Sequence, residues 1–246
     1  MPKRMTKAER ILRQSIIDAC LWMNAVGLNQ GTSGNISVRF GDAMLITPSG
    51  VPYEELTVEM IASMPLAADD GAFTGPMKPS SEWRFHLDIM CERQDVGAII
   101  HTHALYSTVL ACARKPIPAV HYMIAAAGGP TVRCADYATF GTKELSKNAL
   151  CALHQRNCCL LANHGMIATG PDLAKACWLA VELETLAKQY YLTLPIGGPV
   201  LLSDAEIERN VALFQNYGPK TSEQANADKA KPRQRARRRR NAEQPE

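Results

Sequence analysis

The alternation of helix-type and strand-type segments constrains this chain more than any other feature of its 246-residue sequence. Leu12, Ile16, Cys20 and Met23 recur at helical spacing with charged residues between them, which predicts an amphipathic first helix over residues 6–26. Short strand-type runs and helical segments then follow one another, and neither an internal repeat nor a long linker separates them. This order predicts a single α/β domain.

The segments after the first helix carry distinct patterns. The runs "NISVRF" and "AMLIT", joined by a Gly-Asp turn, predict a β-hairpin. The run "SSEWRFHLDIMCER" predicts a helix capped by Ser80 or Ser81, and "DLAKACWLAVELETLAKQYYLTL" predicts a long helix capped by Asp172. Between them, "VGAIIHTHA" and "CCLLANHG" predict two buried strands that both lead into histidine.

The positive charge of the chain is concentrated in its last residues. Residues 219–246 carry nine Lys and Arg against four Asp and Glu, which leaves 18 Lys and Arg against 20 Asp and Glu in residues 1–218. This mildly acidic part gives no indication of a nucleic-acid surface. Because the basic tail has no apolar side chain to anchor it, we predict a folded domain over 1–218 and a disordered tail over 219–246.

The eight cysteines indicate a reducing compartment. None of them has C-x-x-C spacing, and several lie in apolar runs such as "DACLW" and "KACWL", where free buried cysteines are typical. The basic start "MPKRMTKAERILRQ" lacks the apolar segment of an export signal, and no apolar run reaches the ~18 residues that span a membrane. We therefore expect a cytoplasmic protein that does not enter a membrane.

Two histidines stand one residue apart in the segment "IIHTHA" at 99–104. Side chains at i and i+2 of an extended chain point to the same face, so His101 and His103 can converge on one point. A second apolar run, "LLANHG", also leads into a histidine, His164. Three protein ligands with an open fourth position are typical of a catalytic zinc site, and we predict that these histidines bind one metal ion.

Other interpretations of the histidines are open at this point. An isolated H-x-H pair is more often part of a packed strand than of a metal site. His86, four residues after Glu82 on a predicted helix, forms an E-x-x-x-H pair that could ligate, although a packed or hydrogen-bonded side chain is the more common outcome. His154 lies among polar residues and is expected to be exposed, and no cysteine has the spacing of a metal ligand.

Three short loops rich in Gly, Ser and Thr are candidates for binding an anion. They are "GTSGNIS" at 31–37, "TPSG" at 47–50 and "PSSE" at 79–82. Small residues let the backbone approach a ligand and present N–H groups, and hydroxyl groups and a helix N-terminus complete an anion pocket. Each loop alone is a common turn, but three of them beside a predicted metal site indicate a phosphorylated substrate.

Eight motifs, taken in order, make the sequence similar to the class II, zinc-dependent aldolase/adducin family and, within it, to the L-fuculose-1-phosphate aldolases. They are "GTSGNISVR", "LITPSGVPYEEL", "PSSEWRFH", "HTHA", "IPAVHYMIAAAGG", "YATFGTKEL", "NHGMIA" and "LLSDAEI", and they cover about residues 6–218. The resemblance implies a three-layer αβα fold with a mostly antiparallel central sheet. It also implies a C4 homotetramer with active sites at subunit interfaces.

The resemblance further implies the composition of the metal site. His101, His103 and His164 match the family's zinc ligands, with one Zn²⁺ per subunit. Glu82 of "PSSE" matches the catalytic acid/base, which also ligates zinc when substrate is absent. Tyr122 of "HYMIAAAGG" matches a tyrosine that reaches the neighbouring subunit's site as a proton donor.

Other positions match the family's substrate-binding and C-terminal residues. The substrate and phosphate positions are Gly34, Asn35, Ser49, Gly50, Ser80 and Ser81. Tyr217 of "FQNYG" falls where the family has a mobile C-terminal tyrosine. The basic tail departs from the family pattern and leaves open how the C-terminus would close over a site.

The activity implied by the resemblance is that of an aldehyde-lyase in carbohydrate metabolism, which cleaves L-fuculose 1-phosphate to dihydroxyacetone phosphate and L-lactaldehyde. Aldolases for 5-deoxyribulose or methylthioribulose 1-phosphate share the mechanism and are the nearest alternative. A pentulose-5-phosphate 4-epimerase has an aspartate where this chain has Glu82. A metal-free adducin-like scaffold would not require the intact histidines, and a nucleic-acid-binding role would rest on the basic tail alone.

Overall fold

The computed structural model describes residues 5–214 of the chain. The predictions for Tyr217 and for the basic tail at 219–246 fall outside the described residues. The proposed domain boundary at residue 218 therefore also stays a prediction.

The helices and strands that the sequence predicts occur in the predicted order among the described residues. Strands at Ala62–Pro65 and Gly165–Gly170 and a helix at Asp204–Phe214 are present in addition and were not predicted. The α-helices are α1 (Lys7–Ala25), α2 (Trp83–Glu92), α3 (Leu105–Cys112), α4 (Lys143–Leu153), α5 (Leu173–Thr193) and α6 (Asp204–Phe214). The strands are β1 (Asn35–Phe40), β2 (Ala43–Ile46), β3 (Ala62–Pro65), β4 (Ala98–Thr102), β5 (Cys134–Ala135), β6 (Cys158–Leu161) and β7 (Gly165–Gly170). Short 3₁₀ helices lie at Tyr53–Glu55, Tyr122–Ala127 and Leu194–Ile196.

The strands form one seven-stranded sheet in the order β3-β2-β1-β4-β7-β6-β5. Every neighbouring pair is antiparallel except β5 and β6, which run parallel. The predicted hairpin is present as β1 and β2. The mostly antiparallel sheet expected from the family resemblance is therefore confirmed, and β4 lies at its centre between β1 and β7.

The two faces of the sheet bury separate apolar clusters. Consecutive residues of a strand point to opposite faces, so Ile100 packs with residues of α1, α3 and α5, whereas Ile99 packs with residues of α2 and α4. Because helices cover both faces, the expected three-layer arrangement is confirmed. The site lies at the end of the sheet where β4 leads toward α3.

The predicted cap is observed at α5 and fails at α2, and α1 has a cap that the sequence analysis did not predict. Thr6 accepts a hydrogen bond from Glu9 N at α1, and Asp172 accepts one from Lys175 N at α5. At α2 the expected cap by Ser80 or Ser81 is wrong, because the N-cap position belongs to Glu82, and its side chain makes no capping bond.

Two further predictions concern the state of the cysteines and membrane-spanning segments. All eight cysteines are free, but Cys91, Cys112 and Cys151 are exposed, so burial holds for only part of the set. No helix within residues 5–214 combines the length and the apolar character needed to cross a membrane.

Candidate active site

His101 and His103 lie at the end of the central strand. In β4, His101 stands opposite Asn35 of β1 on one side and Ile167 of β7 on the other. His103 follows directly after the strand, and the two imidazole rings lie 5.1 Å apart between centroids. The two-residue periodicity of an extended chain therefore brings both side chains to one face, as predicted.

His164 reaches the same place from the turn between β6 and β7. The turn is made by Asn163, whose φ of 54° lies in the left-handed region that Asn tolerates. At Gly165 a Cβ atom would lie 2.5 Å from Thr102 O and 2.8 Å from His103 Cδ2, so only glycine allows this close approach. The chain can thus place His164 against β4.

The three histidines form a compact cluster. The ring of His164 lies 4.7 Å from that of His101 and 5.0 Å from that of His103. One ligand nitrogen from each residue lies within 4.8 Å of the others. The sequence prediction that two separate strand ends deliver three imidazoles to one point agrees with this geometry.

Glu82 faces the cluster from the N-terminus of α2. Its Oε2 lies 3.2 Å from His101 Nε2, and its Oε1 lies 3.1 Å from His164 Nε2. Burial raises the pKa of this carboxyl group, but the neighbouring imidazoles of His101 and His164 outweigh burial and hold the pKa well below its ordinary value. The lowered pKa makes Glu82 an ionised carboxylate near pH 7, and its 6% exposure places it in a nearly closed site.

The unpaired atoms of the cluster fit a divalent metal ion. Among the described residues, Glu82 Oε1, His101 Nε2 and His103 Nε2 are buried without a hydrogen-bond partner of suitable geometry. His101 Nδ1 donates to the Met166 carbonyl at 2.9 Å, which leaves the Nε2 lone pair free. Burial, then charge on the other two histidines, lower the pKa of His103 to about 4, so its imidazole is neutral near pH 7. Imidazole nitrogens together with one carboxylate form a donor set typical of zinc.

Two of the predicted anion loops meet beside Glu82. Ser80 N donates to Thr47 O at 2.9 Å, and Ser49 N donates to Lys78 O at 3.1 Å, so backbone bonds join the loop at 47–50 to that at 79–82. Ser80 Oγ also accepts from Glu82 N at 3.2 Å. A cavity of about 330 Å³ lies against these loops and is lined in part by Ser49, Lys78, Ser81 and Trp83. Gly50 has a φ of 71°, which glycine adopts without strain.

The loop at 31–37 reaches the metal cluster through Gly34 and Asn35. A Cβ atom on Gly34 would lie 2.8 Å from both Asn29 Oδ1 and the His101 carbonyl oxygen, so the backbone fits only without a side chain. Asn35 Nδ2 donates to Glu82 Oε2 at 3.0 Å. The structure therefore brings all three loops to the site, and it commits the Asn35 side chain to the carboxylate.

Tyr122 lies beside the end of α6 within one chain. It begins the 3₁₀ helix at Tyr122–Ala127, is 49% exposed, and lies 6.5 Å from Phe214 between ring centroids. Its expected role in the site of a neighbouring subunit stays a prediction.

Sequence reasoning missed two contacts of this region. His86 was expected to be packed or hydrogen-bonded, and it is buried, but its link through Asn35 to Glu82 was not foreseen. The signals were the four-residue spacing of Glu82 and His86 on a helix and the two-residue spacing of Asn35 and Ser37 on a strand. The exposed His154 agrees with its prediction.

A larger cavity of about 830 Å³ lies elsewhere, between α5, α6 and the loop after β7. Trp178, Leu179, Val211 and Phe214 are among its lining residues, and none of the predicted site residues lines it. The candidate site therefore does not lie in this larger cavity.

Comparison with known proteins places these features in a family. Residues 14–191 match the Class II Aldolase and Adducin N-terminal domain. A 5-methylthioribulose-1-phosphate/5-deoxyribulose-1-phosphate aldolase of Rhodospirillum rubrum is 54% identical over 207 residues, which cover 84% of this chain and 92% of that relative. An L-fuculose phosphate aldolase of Escherichia coli K12 is 49% identical over 213 residues, which cover 86% of this chain and 98% of that relative.

A solved structure agrees with the sequence comparison. The structure of an L-fuculose 1-phosphate aldolase superposes with a TM-score of 0.80 at 42% sequence identity, covering 83% of this chain and 96% of the other. The shared sheet, the histidine cluster and the long alignments point to one conclusion: the chain belongs to the class II aldolase and adducin family.

Proposed function

We propose that this protein is a zinc-dependent aldolase that cleaves a ketose 1-phosphate to dihydroxyacetone phosphate and an aldehyde. The observation that carries the proposal is the convergence of three imidazoles with one buried carboxylate, several of whose polar atoms have no partner among the described residues. His101, His103 and His164 would hold the zinc ion, and Glu82 would join them when substrate is absent. When bound, the ion acts as a Lewis acid and stabilises the negative charge that develops as the C3–C4 bond breaks.

Glu82 is suited to move the proton at C3. Its Oε2 is anchored by Asn35, whereas its Oε1 accepts no hydrogen bond and is free to exchange a proton. In the condensation direction the ionised carboxylate removes a proton from C3 of dihydroxyacetone phosphate. In cleavage it returns that proton to C3 after the C3–C4 bond has broken.

The loops beside Glu82 would bind the phosphate group. Ser49, Gly50, Ser80 and Ser81 offer backbone N–H groups and hydroxyls next to the cavity at the two joined loops. Gly34 would let the backbone approach the substrate from the other side. These contacts would hold C3 near Glu82, because the phosphate is attached two carbons away.

Tyr122 would act on the aldehyde side of a neighbouring subunit's site. Its exposure in one chain leaves the hydroxyl available to a partner, as a homotetramer with interfacial sites requires. In cleavage the C4 hydroxyl gives up its proton as the aldehyde forms, and Tyr122 would exchange that proton. Tyr217 is proposed as a further active-site residue near the C-terminus.

L-Fuculose 1-phosphate is the proposed substrate, giving L-lactaldehyde as the second product. Relatives of that name align over nearly their whole length at 49% identity. A second candidate, 5-methylthioribulose or 5-deoxyribulose 1-phosphate, is favoured by the 54% identity to the Rhodospirillum rubrum aldolase. All three substrates share the phosphate end and differ only in the aldehyde released.

Two other functions fit the site less well. A pentulose-5-phosphate 4-epimerase would have aspartate at position 82, where this chain has the longer glutamate. A metal-free adducin-like scaffold would not need three histidines with ligand atoms within 4.8 Å of one another. We also propose a cytoplasmic location, a catalytic domain over 1–218, and no nucleic-acid role for the tail.

The test is a product assay across a panel of ketose 1-phosphates with the zinc-loaded protein. Dihydroxyacetone phosphate should form from L-fuculose 1-phosphate with the highest kcat/KM, and the released aldehyde should be L-lactaldehyde. A higher kcat/KM for the deoxyribulose or methylthioribulose substrate would select the second candidate. Epimerisation without dihydroxyacetone phosphate, or no reaction with any member, would reject the aldolase assignment.

A further inference from the structure

A line of buried polar side chains runs from β1 to Glu82, and two of its members, Ser37 and His86, have no role in the reaction proposed above. His86 is fully buried on α2, with its Nδ1 2.7 Å from Ser37 Oγ and its Nε2 2.5 Å from Asn35 Oδ1. Asn35 Nδ2 in turn donates to Glu82 Oε2 at 3.0 Å. The four side chains form a continuous hydrogen-bonded line that ends at the carboxylate.

The direction of each bond in this line follows from what each group can donate or accept. An ionised carboxylate only accepts, so the amide nitrogen of Asn35 faces Glu82 and the amide oxygen faces His86. Since that oxygen accepts, His86 carries its proton on Nε2. The Nδ1 of a neutral imidazole is then an acceptor, and the Ser37 hydroxyl donates to it. In all three bonds the acceptor lies on the side nearer to Glu82. In a chain of hydrogen bonds with one common direction, each bond strengthens the next.

The surroundings of His86 keep its imidazole neutral and fixed. Its hydrogen-bond partners are the uncharged side chains of Ser37 and Asn35, and the ring stacks on Phe85 with 4.6 Å between centroids. Burial, then the charge on His101, lower its pKa to about 3. A neutral ring with one defined donor can hold the Asn35 amide in a single orientation.

We propose that His86 is a positioning residue for Glu82, which it orients through the Asn35 amide. The inference rests on the proposed function, because it takes Glu82 as the acid/base. A glutamate side chain has several rotatable bonds, and the Asn35 bond to Oε2 restricts them so that Oε1 points toward the histidine cluster. Without His86 the amide is free to rotate, and Glu82 loses that restraint.

Two amide variants distinguish a positioning role of His86 from a purely structural role as a buried polar side chain. In His86→Gln the amide nitrogen can lie near the former Nε2 and still donate to Asn35. His86→Asn is one methylene shorter, so its amide reaches toward Ser37 but not toward Asn35. The zinc-loaded variants should melt at similar temperatures, because both bury an uncharged amide in the same place.

The kinetic expectation follows from the loss of one orienting bond. His86→Gln should keep kcat within about threefold of wild type, whereas His86→Asn should lose about 10- to 100-fold, the range typical of residues that orient a metal ligand. KM should change by less than about threefold in both, because neither variant alters the residues proposed to bind the phosphate, which are Ser49, Gly50, Ser80 and Ser81. Equal kcat values for the two variants would overturn the proposal, since a purely structural histidine predicts equal losses.

A second readout needs no substrate. With Co²⁺ in place of zinc, the visible absorption spectrum reports the ligands of the metal, and Glu82→Gln gives the reference spectrum for a site without this carboxylate. The spectrum of His86→Asn should shift toward that reference, and that of His86→Gln should match wild type. A wild-type spectrum for His86→Asn would overturn the proposal, whereas failure of wild type to cleave any ketose 1-phosphate would reject the proposed function alone.

Discussion

The first turns of α2 and α3 use carboxylates in opposite ways. At α3, Glu184 of α5 accepts from Tyr106 N at 2.7 Å and from both the N–H and the hydroxyl of Ser107 at 2.8 Å. At α2, Glu82 occupies the N-cap position, makes no capping bond, and lies with its carboxylate against His101 and His164. One carboxylate completes a helix end, and the other leaves its helix end without a side-chain cap.

The difference shows where the chain favours stability and where it favours binding. A carboxylate at a helix N-terminus contributes about 0.3–1 kcal/mol, and Glu184 gains this through three donors. Buried polar atoms without partners cost free energy, and three of them converge at Glu82, His101 and His103, as expected where a ligand completes the site, whereas α3 has one isolated atom of this kind, Thr108 Oγ1. The region around Glu184 is therefore structural, and the region around Glu82 is arranged for chemistry.

The largest expected effect comes from removing the metal from the Glu82 region. Dialysis against a chelator should abolish cleavage and added Zn²⁺ should restore it, because the ion supplies the charge stabilisation. His101→Ala and His103→Ala should each lose the metal, as measured by metal analysis of the purified protein. Full turnover in metal-free protein would contradict the assignment of metal-dependent chemistry to the Glu82 region.

The second largest effect is expected from replacing the Glu82 carboxylate. Glu82→Gln keeps the size of the side chain but cannot exchange a proton, so kcat should fall by about 10²- to 10⁴-fold while substrate binding survives. Solvent exchange of the C3 proton of dihydroxyacetone phosphate, measured by NMR on the zinc-loaded variant, should collapse as well. Exchange near the wild-type rate would exclude Glu82 as the base.

At the N-terminus of α3 we expect a substitution to lower stability and to leave kcat nearly unchanged. Glu184→Ala removes the acceptor for Tyr106 N and Ser107 N, so the free energy of unfolding should fall by about 1–3 kcal/mol. The kcat of the folded protein should stay within about threefold of wild type, since Glu184 serves the helix end. Urea unfolding and an activity assay at low temperature measure the two quantities. A loss of kcat as large as that of Glu82→Gln, with unchanged stability, would contradict the division.

Acid should weaken the Glu82 region through His86. The unfolded chain protonates this histidine near pH 6.5, whereas the pKa in the fold is about 3, so the unfolded state binds more protons between these values. Stability is therefore complete above pH 6.5 and falls as the pH drops, by about 1 kcal/mol between pH 6.5 and 5.5. Urea unfolding should show this decrease in wild type and a smaller one in His86→Gln. Identical pH dependence of the two proteins would exclude His86 as its source.

The smallest effect is expected at the C-terminus. Both carboxylate regions lie within residues 5–214, and the sequence of 222–246 has no apolar side chain to dock on either. Deleting residues 222–246 should leave the unfolding midpoint and kcat nearly unchanged. The activity assay and size-exclusion chromatography test this expectation. Loss of most activity, or of the proposed tetramer, in that truncation would assign the tail a structural role.

Several features could be predicted from the sequence because they depend on local geometry. His101 and His103 share a face because side chains alternate along an extended chain. Asp172 caps α5, as predicted, because the Lys175 N–H group that it binds lies three residues away. The alternation of segments predicted a single α/β domain, and the motifs indicated the family, whose resemblance implied the three-layer fold and most of the candidate site.

Only the tertiary structure decided how these parts meet. The pairing of Asn35 with His101, the contact of Glu82 with His164, and the bond from His86 to Asn35 all join residues far apart in the chain. The sequence by itself determined which face each side chain occupies. It did not determine which faces meet, because strand register and helix packing depend on apolar contacts across the whole core. For the same reason local propensity favoured serine as the cap of α2, whereas the fold places Glu82 there and directs its carboxylate to the histidines.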